Sequence, residues 1–341
     1  MKDILFYYPK GHSAHSEIGH PERPERVEVI KQALEAVDLW HDDRLLYPID
    51  IPTEVLYCVH TAEYLKWLKT TCQNAQHIDM DTYTTPATWD LAHQTAGGAA
   101  GIAKAVWNGD SQRGFALTRP PGHHATPKQG MGFCIINNIA VAAEYLLQYE
   151  DAKRLAIIDF DLHHGNGTQE IFWKRGDVFY MSTHQSPLYP GTGSVTEIGS
   201  GDGEGKNANF PLPPGSGDEA FRSFLNELIL PLLYEYKPEM ILVSYGFDPH
   251  WRDPLGHLQL SAQGYGDLIA GLTKWADTHC EGKIAIFLEG GYDLEAAAAC
   301  SLSVVYNLLG QKWVDSIGLS PHPEGQSWQG VLKKAKEIWK L

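Results

Sequence analysis

The sequence predicts an α/β protein, a single domain whose mostly parallel central sheet is flanked by helices, and three observations carry that reading. Short β-branched and apolar runs alternate with longer amphipathic ones from end to end. The short runs are continuously apolar rather than alternating, as in strands covered on both faces. No linker, internal repeat or low-complexity tract interrupts the 341 residues, a length that alone admits one large domain or two ordinary ones.

In chain order, residues 4–8 predict a first strand, closed by Pro9, and residues 24–37 a helix. Helical patterning returns over 88–107, followed by a strand at 114–118, a helix at 138–147 and strands at 155–159 and 178–182. Residues 218–236 predict another helix, which Pro231 should kink or split because it lacks an amide donor. The remaining elements are strands at 240–245 and 284–288 and helices at 261–279 and 294–309. Two Gly- and Pro-rich stretches, 119–134 and 185–217, read as long irregular loops of the kind that often carry function. Residues 310–341 give no signal of a role.

Composition narrows the function. Lysine and arginine total 27 against 42 acidic residues, a net charge of −15, so a phosphate backbone would be repelled and direct nucleic-acid binding is not expected. The acidic field would draw in basic partners such as lysine-rich segments or polyamines, or serve solubility alone. The five cysteines, at 58, 72, 134, 280 and 300, show no paired short spacing, which fits reduced thiols in a cytoplasmic protein. No signal-peptide stretch opens the chain, and no run approaches the ~18 apolar residues of a membrane span.

Polar clusters directly follow four of the predicted strands, where ligands bind in an open parallel sheet. These are Arg119-Pro120-Pro121-Gly122-His123-His124, Asp159-Phe160-Asp161-Leu162-His163-His164-Gly165-Asn166-Gly167, Gly246-Phe247-Asp248 and Glu289-Gly290-Gly291-Tyr292. In an extended backbone Asp159, Asp161 and His163 share one face. Two carboxylates and an imidazole so close together call for a cation or for compensating hydrogen bonds. Asp161 and His163 with the distant Asp248 would give three protein ligands and an open position for water, the pattern of catalytic zinc. Their oxygen-rich shell also admits iron(II). Asp159 is left to orient a histidine or to help hold a monovalent cation beneath the metal. His123 and His124 suit acid/base work near neutral pH, and Tyr292 is placed to donate its hydroxyl to an oxyanion. Cys134 reads as a buried thiol, and His250 and His257 as loop histidines. Arg26 reads as either an internal-channel or a structural residue, and Trp251 as either a pocket-mouth or a packing residue.

Together these motifs resemble the histone deacetylase and acetylpolyamine amidohydrolase family. His20-Pro21-Glu22-Arg23-Pro24-Glu25-Arg26 and Pro190-Gly191-Thr192-Gly193 are similar to it as well, so the resemblance spans roughly residues 20–292. It implies an arginase/deacetylase fold with about eight strands and hydrolysis of acylated amines. It further implies zinc on Asp161, His163 and Asp248, the tandem pair His123 and His124, Tyr292 as the carbonyl-polarising phenol, and potassium near Asp159, Asp161, His163 and Ser182. Gly132, Phe133 and Tyr189, with Leu255, Gly290 and Gly291, would line a narrow channel for the aliphatic part of the substrate. Asn166 stands where one branch has aspartate, and Glu289 begins a motif that is all glycine elsewhere, so the chain looks like the class II branch. Leu255 occupies a rim position that is glutamate in a polyamine-specific relative. The resemblance thus favours an acylated lysine of a peptide or protein over a small acylated amine. The complete residue set speaks against an inactive acyl-ligand binding module, and oligomeric state is not readable.

Overall fold

In the computed structural model, which describes residues 2–341, eight strands form one sheet in the order β2-β1-β3-β8-β7-β4-β5-β6. They are β1 Lys2–Tyr7, β2 Leu45–Leu46, β3 Ser111–Ala116, β4 Leu155–Asp159, β5 Val178–Gln185, β6 Asn207–Leu212, β7 Met240–Tyr245 and β8 Ile284–Leu288. Every pairing is parallel. Continuous apolarity has a direct cause: successive side chains of one strand enter different cores. Ala156, Ile158, Ile241, Val243, Ile284 and Ile286 pack on one side, whereas Leu155, Ile157, Met240, Leu242, Ala285 and Phe287 pack on the other. Helices cover both faces, and among the described residues no helix is long and apolar enough to cross a membrane.

The topology does one thing for function above all. The strands that precede the four polar clusters, β3, β8, β7 and β4, are consecutive neighbours in the sheet. Their C-terminal ends therefore open side by side, although the residues they carry are spread from 119 to 292.

The six sequence-predicted strands and five of the six helices are present, some at the expected bounds, such as Thr88–Trp107, Leu155–Asp159 and Met240–Tyr245, and others with ends shifted, such as Ala262–His279 and Leu294–Leu308. The helix expected over 218–236 is divided into Asp218–Phe224, a π-helical turn Leu225–Ile229 and Leu230–Tyr236. Pro231 lies in the first turn after that bulge, where its missing amide costs least. The stretch 185–217 is not wholly irregular as expected. It contains β6, whose asparagines and Pro211 imitate a turn, and proline is tolerated there because β6 is an edge strand. The stretch 119–134 holds turns and two isolated bridges only, as expected. Residues 310–341 include a helix, Trp328–Trp339, which buries Trp328, Leu332 and Ala335. That spacing of four and three residues is an amphipathic signal that was present in the sequence.

Candidate active site

Asp161, His163 and Asp248 offer ligand atoms that all lie within 4.8 Å of one another. Asp161 and His163 come from the turn after β4 and Asp248 from the turn after β7, adjacent strands whose register sets Asp159 opposite Ser244. His163 Nδ1 lies 3.2 Å from Asp161 Oδ1 and 3.3 Å from Asp248 Oδ2. Backbone amides fix the carboxylates from behind. Leu162 N–H donates to Asp248 Oδ1 (3.1 Å), Gly290 N–H to Asp161 Oδ2 (2.8 Å) and His163 N–H to Asp161 Oδ1 (2.8 Å). Gly290 has to be glycine, since a Cβ there would sit 2.2 Å from Asp248 Oδ2.

The electrostatics are those of a site with surplus negative charge. Burial alone would depress His163, but Asp161 and Asp248 outweigh it and push it up to about 9. Burial and the neighbouring Asp161 raise Asp248. Asp161 is lowered, because His123 and His163 overcome the burial that opposes its charge. Asp248 Oδ2 is buried with no hydrogen-bond donor, a costly state for a carboxylate oxygen. The donor set, two carboxylates and one imidazole converging on one point, fits a divalent ion with room for further ligands.

The paired imidazoles stand beside this trio with ring centroids 4.0 Å apart. His123 Nδ1–H donates to Asp159 Oδ2 (3.0 Å), which also receives the Tyr180 hydroxyl (3.1 Å). Burial lowers His123, yet Asp161, Asp159 and Glu289 together push it up to about 10. His124 Nδ1–H donates to Asn166 Oδ1 (2.8 Å), and burial plus the neighbouring His123 and His163 hold it well below the usual range. The surroundings thus push the two rings in opposite directions, His123 toward its protonated form and His124 toward its neutral one.

A channel of about 260 Å³ reaches the trio between Phe133, Gly132, Tyr189, Leu188 and Leu255, with Tyr292 and Gly290 at its base. Gly291 does not share the wall. Its carbonyl accepts Arg26 Nε–H at 2.7 Å, so it serves behind Tyr292 rather than in front of it. The Arg26 guanidinium lies over the Tyr292 ring, 4.7 Å from its centroid, and Asp253 Oδ2 accepts the Tyr292 amide at 2.6 Å. Burial keeps the Tyr292 phenol protonated by raising its pKa well above the usual value. Ser182 turns its hydroxyl to His184 Nδ1 (2.9 Å). Trp251 donates Nε1–H to Gly318 O (3.0 Å), packing the C-terminal segment rather than the channel mouth.

Four residues missed by sequence reasoning complete the site. Glu289 is fully buried; it accepts Gly122 N–H (2.8 Å) and His123 N–H (3.2 Å) on one oxygen and Ser244 O–H (2.7 Å) on the other. Three side chains, His123, Cys134 and Glu289, also converge, but both Glu289 oxygens are committed to these donors. Glu22 accepts Arg119 Nε–H (2.7 Å) and Arg26 Nη1–H (3.1 Å), tying the 20–26 segment beneath the channel. Asp253 holds Tyr292, and Asp81 lines the mouth. Glu289 was signalled by its place in the Glu-Gly-Gly-Tyr run and Glu22 by the His20–Arg26 motif, though neither was given a role; Asp253 and Asp81 act through folded loops.

Comparison with known proteins agrees with this arrangement. A model of the histone deacetylase domain matches residues 20–308. A probable deacetylase of Archaeoglobus fulgidus is 43% identical over 280 residues, covering 82% of this chain and 78% of its own. A histone deacetylase-like amidohydrolase of Pseudomonas aeruginosa is 35% identical over 294 residues, covering 86% and 77%. The crystal structure of the HDA15 HD domain superposes with a TM-score of 0.89 at 33% identity, covering 99% of this chain and 95% of that one. With the fold, the motif order and the sequence similarity in agreement, the chain belongs to the histone deacetylase family.

Proposed function

We propose that the protein is a zinc-dependent hydrolase that removes acyl groups from lysine side chains of peptides or proteins. The observation that carries the reading is the trio Asp161, His163 and Asp248 at the base of an apolar-walled channel, with Asp248 Oδ2 buried and without a donor. A zinc ion held by these three would supply Lewis acidity, polarising the amide carbonyl and acidifying a water toward a pKa of ~7. Phe133, Tyr189 and Leu255 give the aliphatic stem of the substrate an apolar passage.

The chain's own groups divide the proton work. His124 is neutral, and its bond to Asn166 leaves Nε2 to take the proton of the attacking water. His123, anchored on Asp159, faces the reacting centre, where its protonated form would stabilise the charge that develops. Tyr292, kept protonated and clamped by Arg26 and Asp253, donates its hydroxyl to the oxyanion as the carbonyl carbon becomes tetrahedral. The proton gathered by the histidine pair then passes to the departing amine. The same reading includes a potassium ion near Asp159 and Ser182, which are paired neighbours on β4 and β5.

The test compares metal-loaded protein on acetyl-lysine peptides and acetylpolyamines, with Asp161→Ala and Tyr292→Phe as variants. Peptides should be preferred. Asp161→Ala should lose zinc by elemental analysis, and Tyr292→Phe should lose ~100- to 1,000-fold in turnover. A clear acetylpolyamine preference would replace the lysine substrate, and full zinc in Asp161→Ala would remove the ligand assignment.

A further inference from the structure

Ile18 and Met80 are the most exposed large hydrophobic side chains among the described residues, at 103% and 99% of full exposure. Single exposed apolar side chains are ordinary on a protein surface. These two, however, lie in segments fastened to each other by two contacts. His77 Nε2 meets Glu17 Oε2 at 2.7 Å, and His20 Nε2 meets the Asp81 carbonyl at 3.0 Å. Ile18 falls between the first pair of contact points on its segment and Met80 between those on the other. The strip adjoins the channel, because Asp81 lines its mouth and the His20 ring packs edge-on to Phe133 with centroids 4.7 Å apart.

Its charge is one-sided. Neither residues 11–22 nor residues 73–88 include a lysine or arginine, while Glu17, Asp79 and Asp81 supply carboxylates. Asp79 and Asp81 are close enough for Asp79 Oδ1 to accept the Asp81 amide at 3.1 Å. Their mutual repulsion, added to partial burial, raises the Asp81 carboxyl. A cation brought to this pair would relieve that repulsion.

We propose that this strip docks the chain flanking an acyl-lysine, taking an apolar side chain against Ile18 and Met80 and a basic one against Asp79 and Asp81. This deepens the reading of the channel as an acyl-lysine site and rests on it. The partner it fits is a cationic peptide segment with an apolar residue beside the modified lysine; an acylated polyamine could meet the carboxylates but has no apolar side chain to set against Ile18 and Met80.

The test uses the metal-loaded full chain and the double variant Ile18→Ser/Met80→Ser. The substrates are acetyl-lysine peptides flanked by leucine and arginine, by glycine or by glutamate, together with a blocked acetyl-lysine amide that has no flanks. The parent should show a KM about tenfold lower, equivalent to about 1.4 kcal/mol, for the leucine/arginine peptide than for the glycine one, and the highest KM for the glutamate peptide. The double variant should lose the leucine share of the leucine/arginine advantage and keep the higher KM for the glutamate peptide, while kcat, and all parameters on the unflanked amide, stay within about twofold. Equal KM values across the parent's peptides would overturn the proposal. So would a variant whose peptide KM values are unchanged but whose sedimentation shifts from dimer to monomer, which would assign the strip to a second copy. If no acetyl-lysine substrate is hydrolysed, the function reading fails by itself. Anisotropy of the labelled peptides then decides the docking surface, which stands only if binding follows the same order.

Discussion

Glu289 receives three donors at once, two of them the amides of Gly122 and His123. A carboxylate side chain on β8's end thereby sets the backbone from which both imidazoles project. Glu289→Leu would leave those buried amides unpaired, at about 1–3 kcal/mol each. Turnover should fall at least about tenfold with KM little changed, whereas Glu289→Gln, which keeps an acceptor, should retain most activity; steady-state kinetics on the three proteins checks this. Glu22 offers a test by pH. Burial opposes its charge, but Arg119 and Arg26 overcome that and bring it to about 2, from an ordinary value of 4.5. A depressed native pKa means that the stabilisation is complete above the unfolded value and is lost as pH falls toward about 2. Glu22→Gln should therefore be less stable than the parent at pH 7, by about 3–5 kcal/mol for a buried pair broken on one side. The gap between their urea midpoints should narrow as the pH is lowered toward 3, a value at which the parent's carboxylate nears its own titration.

At the scale of elements, the C-terminal helix Trp328–Trp339 shows how a segment without chemistry is retained. Trp328, 4% exposed, packs on Phe224 with centroids 6.5 Å apart, and Trp339 packs on Phe179 at 5.8 Å. Trp328→Ala should cost about 3–5 kcal/mol, lower the urea midpoint and speed hydrogen exchange in the helix and β6, with zinc content unchanged. The central strands β4, β7 and β8 were legible in the sequence because each is five or six residues long and buried throughout. β2 has two residues and β6 carries Pro211, so edge pairing rather than patterning defines them. The proposed ligands Asp161, His163 and Asp248, the histidine pair and Tyr292 were legible because strand ends bring them to one place. Asp253's role was not, since its partner lies 39 residues away, and Glu22, though within a quoted motif, gave no sign of its bond to Arg119, 97 residues on; only the folded loops bring them together.

For the whole molecule, the order β3-β8-β7-β4 assembles four sequence-distant turns at the middle of an all-parallel sheet. If the −15 net charge acts at that opening, it would favour cationic approach. Affinity for lysine-rich peptides should therefore weaken as ionic strength rises from 0.05 to ~0.5 M, while the rate on a neutral amide stays level; a flat response for both would confine the effect of charge to solubility.

The two strands whose following turns carry the proposed metal ligands, β4 and β7, are flanked on both sides by further strands, whereas the proposed substrate passage is walled by irregular chain at 132–133, 188–189 and 255. The anchor and the tunnel are thus made of materials with different melting behaviour. Warming the holoprotein should extinguish catalysis first, at a temperature where a zinc-responsive dye still finds no released metal, because loops loosen while the inner seam of the sheet is intact. Simultaneous loss of both would mean that seam and walls yield as one cooperative unit.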